Sequence, residues 1–183
     1  MSKNLSALHP RVPVSIDALL TSDMELTERM EALERYMLQY PQSDGVQVNE
    51  YRADSVYCRE TIIPAGTFAI GMLHKFEHMS IMLEGELVMW TSKDGLKHLS
   101  GYNIAVAPPG MKRAGFILKD TKWLTVHSLP CEEEPKDFLT ASSYKEYLEF
   151  TGRPLTNLHR LNGAESENLR TPQTTAMLKT VSP

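Results

Sequence analysis

Between positions 64 and 87 the chain reads Pro64-Ala-Gly-Thr-Phe-Ala-Ile-Gly-Met-Leu-His74-Lys-Phe-Glu-His78-Met-Ser-Ile-Met-Leu-Glu-Gly-Glu-Leu87. Two apolar runs, 68–74 and 78–83, are bounded by Pro64-Ala-Gly66 and Glu84-Gly85 and separated by Lys75, Phe76 and Glu77. Runs of that length between turn formers read as strands. His74 closes the first run and His78 opens the second. On one continuous strand, at ~3.3 Å per residue, they would stand about 13 Å apart, too far to share an ion whose Zn–N bonds are about 2.0–2.1 Å. A tight turn across residues 75–77 is therefore the condition for a shared metal. A helical i, i+4 pair, as in HExxH proteases, does not fit a His-Lys-Phe-Glu-His motif with strand texture on both sides.

The same texture continues on either side. Ser92-Lys-Asp-Gly95, Ser100-Gly101 and Pro108-Pro-Gly110 punctuate further short apolar stretches. The expected strands are 56–63, 68–73, 78–83, 87–91, 97–99, 104–107, 112–118 and 122–128, enough for a closed sandwich or barrel. Before them, Leu26, Met30, Leu33 and Met37 recur at helical steps among charged residues, predicting an amphipathic helix over 25–40. Thr21, Ser22 and Asp23 are its cap candidates, Pro41 and Gly45 its stop, and a shorter helix is expected near 16–20. After the strands, Tyr144, Tyr147, Leu148 and Phe150 predict a helix within 138–150, and beyond Gly152 the composition turns polar. The expected organisation is an N-terminal helical extension (1–50), a β-barrel (51–130), a C-terminal helix (131–152) and a polar, flexible tail (153–183).

The chain has 183 residues, 42% hydrophobic and 23% charged, the balance of one globular domain. A domain of this size buries roughly 70% of its unfolded surface, so it needs neither disulfide nor structural metal to fold, and a bound metal would signify function. Nineteen basic against twenty-three acidic residues give a net charge of -4, which counts against broad nucleic-acid binding. Cys58 and Cys131 stand far apart and form neither a zinc ribbon nor a disulfide framework. No signal-peptide core and no membrane-length apolar run occurs, so a cytoplasmic protein is expected.

The stretch Pro-Ala-Gly-Thr, His-Lys-Phe-Glu-His, Ile-Met-Leu-Glu-Gly-Glu-Leu resembles the first motif of the cupin superfamily, and Gly101-Tyr-Asn-Ile-Ala-Val-Ala-Pro-Pro-Gly110 resembles the second. The resemblance implies a mainly β fold: a cupin-like double-stranded β-helix, or jelly-roll barrel, here with an N-terminal helical extension and a C-terminal helix. It also implies one divalent metal inside the barrel and a homodimer paired through its sheets. Counted back from Leu83-Glu-Gly85, His78 falls where the family's glutamate stands, His74 on the second paired histidine and Met72 on the first. The second motif ends on Lys112 and Arg113 where the family has its last histidine ligand. His127, ending the run Lys122-Trp-Leu-Thr-Val-His127, is the replacement candidate. His74, His78 and His127 would then hold zinc, iron, manganese or nickel with a position left open.

Lys112 and Arg113 are the candidate binding residues for a small anionic substrate. Adjacent on a strand they point to opposite faces, so at most one enters the barrel, where Arg113 would bind a carboxylate or phosphate, and the alternative is that both are solvated. Glu77 and Tyr102 are the candidate acid–base residues, Glu84 is expected outside, His98 exposed, and Met72, Met79, Met82, Met89, Trp90 and Trp123 in packing roles. The stretches His-Lys-x-Glu-His, Pro-Gly-x-Lys-Arg and Asp-Thr-x-Trp-x-Thr-x-His also resemble small bacteriophage-encoded cupin-like proteins, which implies a host-cytoplasmic or virion-associated protein. The functional alternatives are a metal-dependent oxygenase, isomerase, lyase or hydrolase, and a non-catalytic binding or assembly protein without a functional metal. Nucleic-acid binding through Lys112 and Arg113 is a minority alternative against the acidic net charge.

Overall fold

The computed structural model describes residues 16, 18, 19, 22, 24–91, 95–129 and 134–152, and the backbone of 176–179; the side chain of Leu26 is outside the description. Its elements are α1 (Leu26–Met37), β1 (Gln47–Ala53), β2 (Val56–Ile63), β3 (Thr67–Ile70), β4 (Leu73–His74), β5 (His78–Thr91), β6 (Gly95–Ser100), β7 (Asn103–Ala107), β8 (Arg113–Ser128), α2 (Pro135–Leu139), β9 (Thr140–Ala141), α3 (Tyr144–Phe150) and β10 (Ala176–Lys179).

Two long strands organise the molecule. The first half of β5 pairs with β7 and the second half with β6, while β8 runs antiparallel along both halves. β8 in turn holds β3 beside its first half and β2, then β1, beside its second. The strands thus form two layers, β6-β5-β8-β3-β10 and β7-β5-β8-β2-β1, joined through the bend shared by β5 and β8. All the pairings are antiparallel, as in a jelly-roll barrel.

The bend has a local cause. The register slips at Met82/Glu84, Glu84/Glu86 and Glu86/Leu87, and Gly85 takes φ +122° against Thr121. A Cβ there would lie 2.6 Å from the Thr121 Cα, so only glycine allows this approach.

Strand alternation then sorts the side chains. In the first layer Phe68, Ile70, Val88, Trp90, Ala114 and Phe116 face outward and are buried beneath Met30, Leu33 and Met37 of α1 and Tyr144 and Tyr147 of α3. Their alternates Ala69, Leu87, Met89, Arg113, Gly115 and Ile117 face the cavity between the layers. In the second layer Arg59, Thr61, Ile63, His78, Trp123 and Thr125 face inward too. Among the described residues, α1 and α3 cover the outer face of the first layer.

Several expectations change. Segments 78–83 and 87–91 are one strand, as are 112–118 and 122–128, because a glycine bulge and a bend deflect pairing without ending it. β1 was not expected: its sequence QVNEYRA is exposed at every position and gives no apolar signal, and it begins inside the stretch assigned to the N-terminal extension. The helix expected within 138–150 is two short helices separated by β9. The cap of α1 is Glu25, whereas Ser22 Oγ donates to the Leu19 carbonyl; Thr21 and Asp23 lie outside the described residues. Ile16, Ala18 and Leu19 are helical, as expected near 16–20. Within the stretch expected to be a flexible tail, Ala176–Lys179 forms β10 on the edge of β3. Residues 1–15 and 153–175 lie outside the described residues. Among the described residues no helix is long and apolar enough to cross a membrane.

Candidate metal centre

His74 and His78 do stand on separate strands. β4 ends at His74, residues 75–77 turn, and β5 begins at His78. β4 is held away from β3 by pairing with β9, Leu73 opposite Ala141 and His74 opposite Thr140. The Lys75 N–H donates to the Leu139 carbonyl at 2.8 Å, and the Gly110 N–H to the His74 carbonyl at 2.9 Å. The Pro108-Pro-Gly110 turn therefore clamps the backbone of the first histidine. Gly110 has φ +71° and packs so closely that a Cβ would come within 2.6 Å of the Tyr147 ring.

His127 joins from β8, opposite Tyr57 of β2. The three rings lie 4.2 Å (His74–His78), 4.8 Å (His74–His127) and 4.5 Å (His78–His127) apart. One ring nitrogen from each lies within 4.8 Å of the others. His78 Nδ1 faces the Phe76 carbonyl at 3.3 Å, and donation there leaves Nε2 with its lone pair for a metal. The Nδ1 atoms of His74 and His127 are buried and have no hydrogen-bond partner among the described residues. Orphaned buried nitrogens are costly unless something binds them.

Electrostatics keep the cluster neutral. Burial lowers the His74 pKa far below the ordinary histidine value, with the neighbouring His78 and His127 adding to it. Burial likewise brings His78 to about 4, partly opposed by the Phe76 carbonyl, and His127 to about 3. All three imidazoles are therefore unprotonated at neutral pH, the form that ligates a metal. The donor set fits a divalent ion held by three nitrogens with a position open.

The histidines lie between two spaces. An inner cavity of about 140 Å³ is walled by Ile63, Leu87, Met89, Ile117 and Trp123 together with Arg59 and Arg113. An outer chamber of about 320 Å³ is bordered by Glu50, Tyr57, Glu134, Lys136 and Thr140. Arg59, Met72, His74 and Thr125 line both.

The other expected site residues scatter. Arg113 turns inward, its Nη1 donating to Ser80 Oγ at 2.5 Å and its guanidinium 6.0 Å from the Trp123 ring. Lys112 turns the other way and is not solvated: it is 3% exposed and pairs with Glu34 of α1, because that helix covers this side of the barrel. It does not line the cavity. Glu77 is exposed, and Tyr102, at 65% exposure, also lies outside both spaces. Glu84 is exposed and pairs with Lys122 at 3.1 Å, and His98 with Glu86 at 3.1 Å. Met82 and Trp90 are buried in the core, whereas Met72, Met89 and Trp123 wall the cavity. Arg59 and Ser80 were not singled out from sequence. The available signal for Arg59 was a charge on the inward register of β2, between Tyr57 and Thr61.

No family model and no curated protein matches the chain. Solved structures do. KdgF from a Halomonas species is 14% identical, covering 49% of this chain and 88% of its own, with a TM-score of 0.40. An RmlC-like cupin with a double-stranded β-helix fold from Methanocaldococcus jannaschii is 13% identical over 49% of this chain and 85% of its own, TM-score 0.39. An RmlC-like cupin from Shewanella frigidimarina is 16% identical over 49% and 81%, TM-score 0.40. Two antiparallel layers that share their long strands are the jelly-roll arrangement that the motif resemblance implies.

Proposed function

We propose that this chain is a metal-binding cupin-like protein that holds one divalent ion on His74, His78 and His127 and binds a small anionic molecule beside it. The carrying observation is the convergence of three neutral imidazoles from β4, β5 and β8, His78 and His127 buried and His74 half-buried with its Nδ1 enclosed. A bound ion would supply Lewis acidity at the open position. The protein's own residues support the rest: Arg113, held by Ser80, places a positive charge in the wall of a cavity with a largely apolar lining.

A binding role without turnover is the second reading. No carboxylate lines the inner cavity among the described residues, and neither Glu77 nor Tyr102 reaches it. General acid–base work needs a group within hydrogen-bond reach of the reacting atoms.

We also propose a homodimer. The outer face of the second layer exposes Tyr51 (54%), Ile104 (50%) and Val106 (54%) beside Leu83 and Val56, an apolar surface of the kind that marks an interface. A host-cytoplasmic or virion-associated protein of phage origin is the context we propose from the motif resemblance.

Elemental analysis tests the metal half. About one equivalent of zinc, iron, manganese or nickel is expected, and its loss in folded His74→Ala, His78→Ala and His127→Ala variants. Substoichiometric metal unaffected by these substitutions would overturn the metal site and leave the binding role.

A further inference from the structure

Arg59 is the group in this barrel whose charge is least accounted for by the protein. It sits on the inner face of β2, directly across from Thr125 of β8, whose other neighbour is Ser80 of β5. One row away on the same face lie Tyr57 and His127. Among the described residues its Nε is buried and has no acceptor, and its Nη1 meets the Met72 thioether at 2.9 Å, a weak acceptor. Glu50 stands opposite on β1, and among the described residues it forms no ion pair with Arg59; after burial, Glu50 is the neighbour that raises the Tyr57 pKa. Arg59 is half-buried with its Nε enclosed, and a guanidinium whose enclosed N–H lacks an acceptor is left with a donor that a carboxylate or phosphate would satisfy.

The rest of the wall narrows the kind of anion that would satisfy it. Beside Arg59 and Arg113 the inner cavity offers methionine, leucine, isoleucine and tryptophan surface. A fully hydrated inorganic ion would leave that surface wet, whereas an organic acid covers it and presents two oxygens to the guanidinium fork. We infer that Arg59 binds the carboxylate of a small organic acid, whose apolar body fills the inner cavity among Leu87, Met89, Ile117 and Trp123. This deepens the anion half of the proposed function by naming the ligand class and a second binding residue, and it does not depend on the metal.

The test is titration of the full-length protein, both as purified and after chelator treatment, with acetate, butyrate, hexanoate, the neutral isostere butyramide and inorganic phosphate. Trp123 fluorescence and calorimetry report binding, and thermal melting confirms that variants fold. Butyrate is expected to bind more tightly than acetate, butyramide or phosphate in both preparations. Arg59→Met should weaken butyrate by about 10- to 100-fold and butyramide by less than about threefold, the difference being the loss of a charged hydrogen bond. Should Arg59→Met fail to fold, Arg59→Lys carries the test: charge without the fork should erode the preference for butyrate over butyramide by about threefold or more. Butyrate binding that persists after chelation supports the inference, and a purified protein found to hold no metal yet still to bind butyrate supports it while failing the metal site. Equal affinity for butyrate and butyramide, tighter binding of phosphate than of butyrate, or butyrate binding lost on chelation yet insensitive to the Arg59 variants would each overturn it.

Discussion

Ser80 holds the cavity wall together, and its removal is a quantitative test of that role. The side chain is 2% exposed, and its hydroxyl accepts from Arg113 Nη1 at 2.5 Å and from Trp123 Nε1 at 3.0 Å. Alanine keeps the strand and removes the acceptor. The Trp123 N–H then loses its acceptor in a closed wall, a penalty of about 1–3 kcal/mol, and the charged donor on Arg113 loses about 1 kcal/mol more, since it faces the cavity and can recruit water. The expected cost of Ser80→Ala is thus about 2–4 kcal/mol, or a fall in Tm of roughly 5–12 °C for a chain of this size. Urea unfolding followed by tryptophan fluorescence measures it. In a Trp123→Phe background the orphaned N–H no longer exists, so the Ser80→Ala cost should shrink by about 1 kcal/mol or more. A cost below about 0.5 kcal/mol, or equal costs in the two backgrounds, would refute the assignment of Ser80 as the shared acceptor.

Gly85→Ala should destabilise by about 3–5 kcal/mol or prevent folding, since it combines a disfavoured φ with a backbone clash at the bend. Gly101→Ala, at φ +70° with nothing within 4 Å, should cost only about 1–2 kcal/mol, and equal Tm losses for the two would contradict the role given to the bulge. The metal-free protein should be most stable above pH 6.5 and weaken as the pH falls toward 4. The unfolded chain takes up protons near the ordinary histidine value, while burial keeps His78 and His127 from doing so until about 4 and about 3. Near pH 5 these two contribute a slope of about 2–3 kcal/mol per pH unit, and His127→Asn should flatten it by about 1.4. Denaturant titrations at pH 7, 6 and 5 decide this, and a flat profile would count against the buried neutral cluster.

What the sequence determined by itself is what short-range chemistry encodes. The turn residues at Pro64-Ala-Gly66, Ser100-Gly101 and Pro108-Pro-Gly110 marked most strand ends, the 3.6-residue apolar spacing marked α1, and His74 and His78 announced a site conditional on a turn. His127 could be named only because the motif resemblance suggested a vacancy, since a histidine on a strand is silent about what lies across from it. What only the tertiary structure decided depends on contacts between residues distant in the chain. It made β5 and β8 continuous through a bend that Gly85 permits against Thr121. It sent Lys112 toward Glu34, 78 residues away, because α1 covers that side of the barrel. It left Glu77 and Tyr102 outside the cavity. It also brought Arg59 beside the histidines, since the inward face of a strand acquires its meaning only when β8 is laid against it. A charge within an alternating strand has one sequence signature whether it meets solvent or a cavity, and closure of the barrel makes the difference.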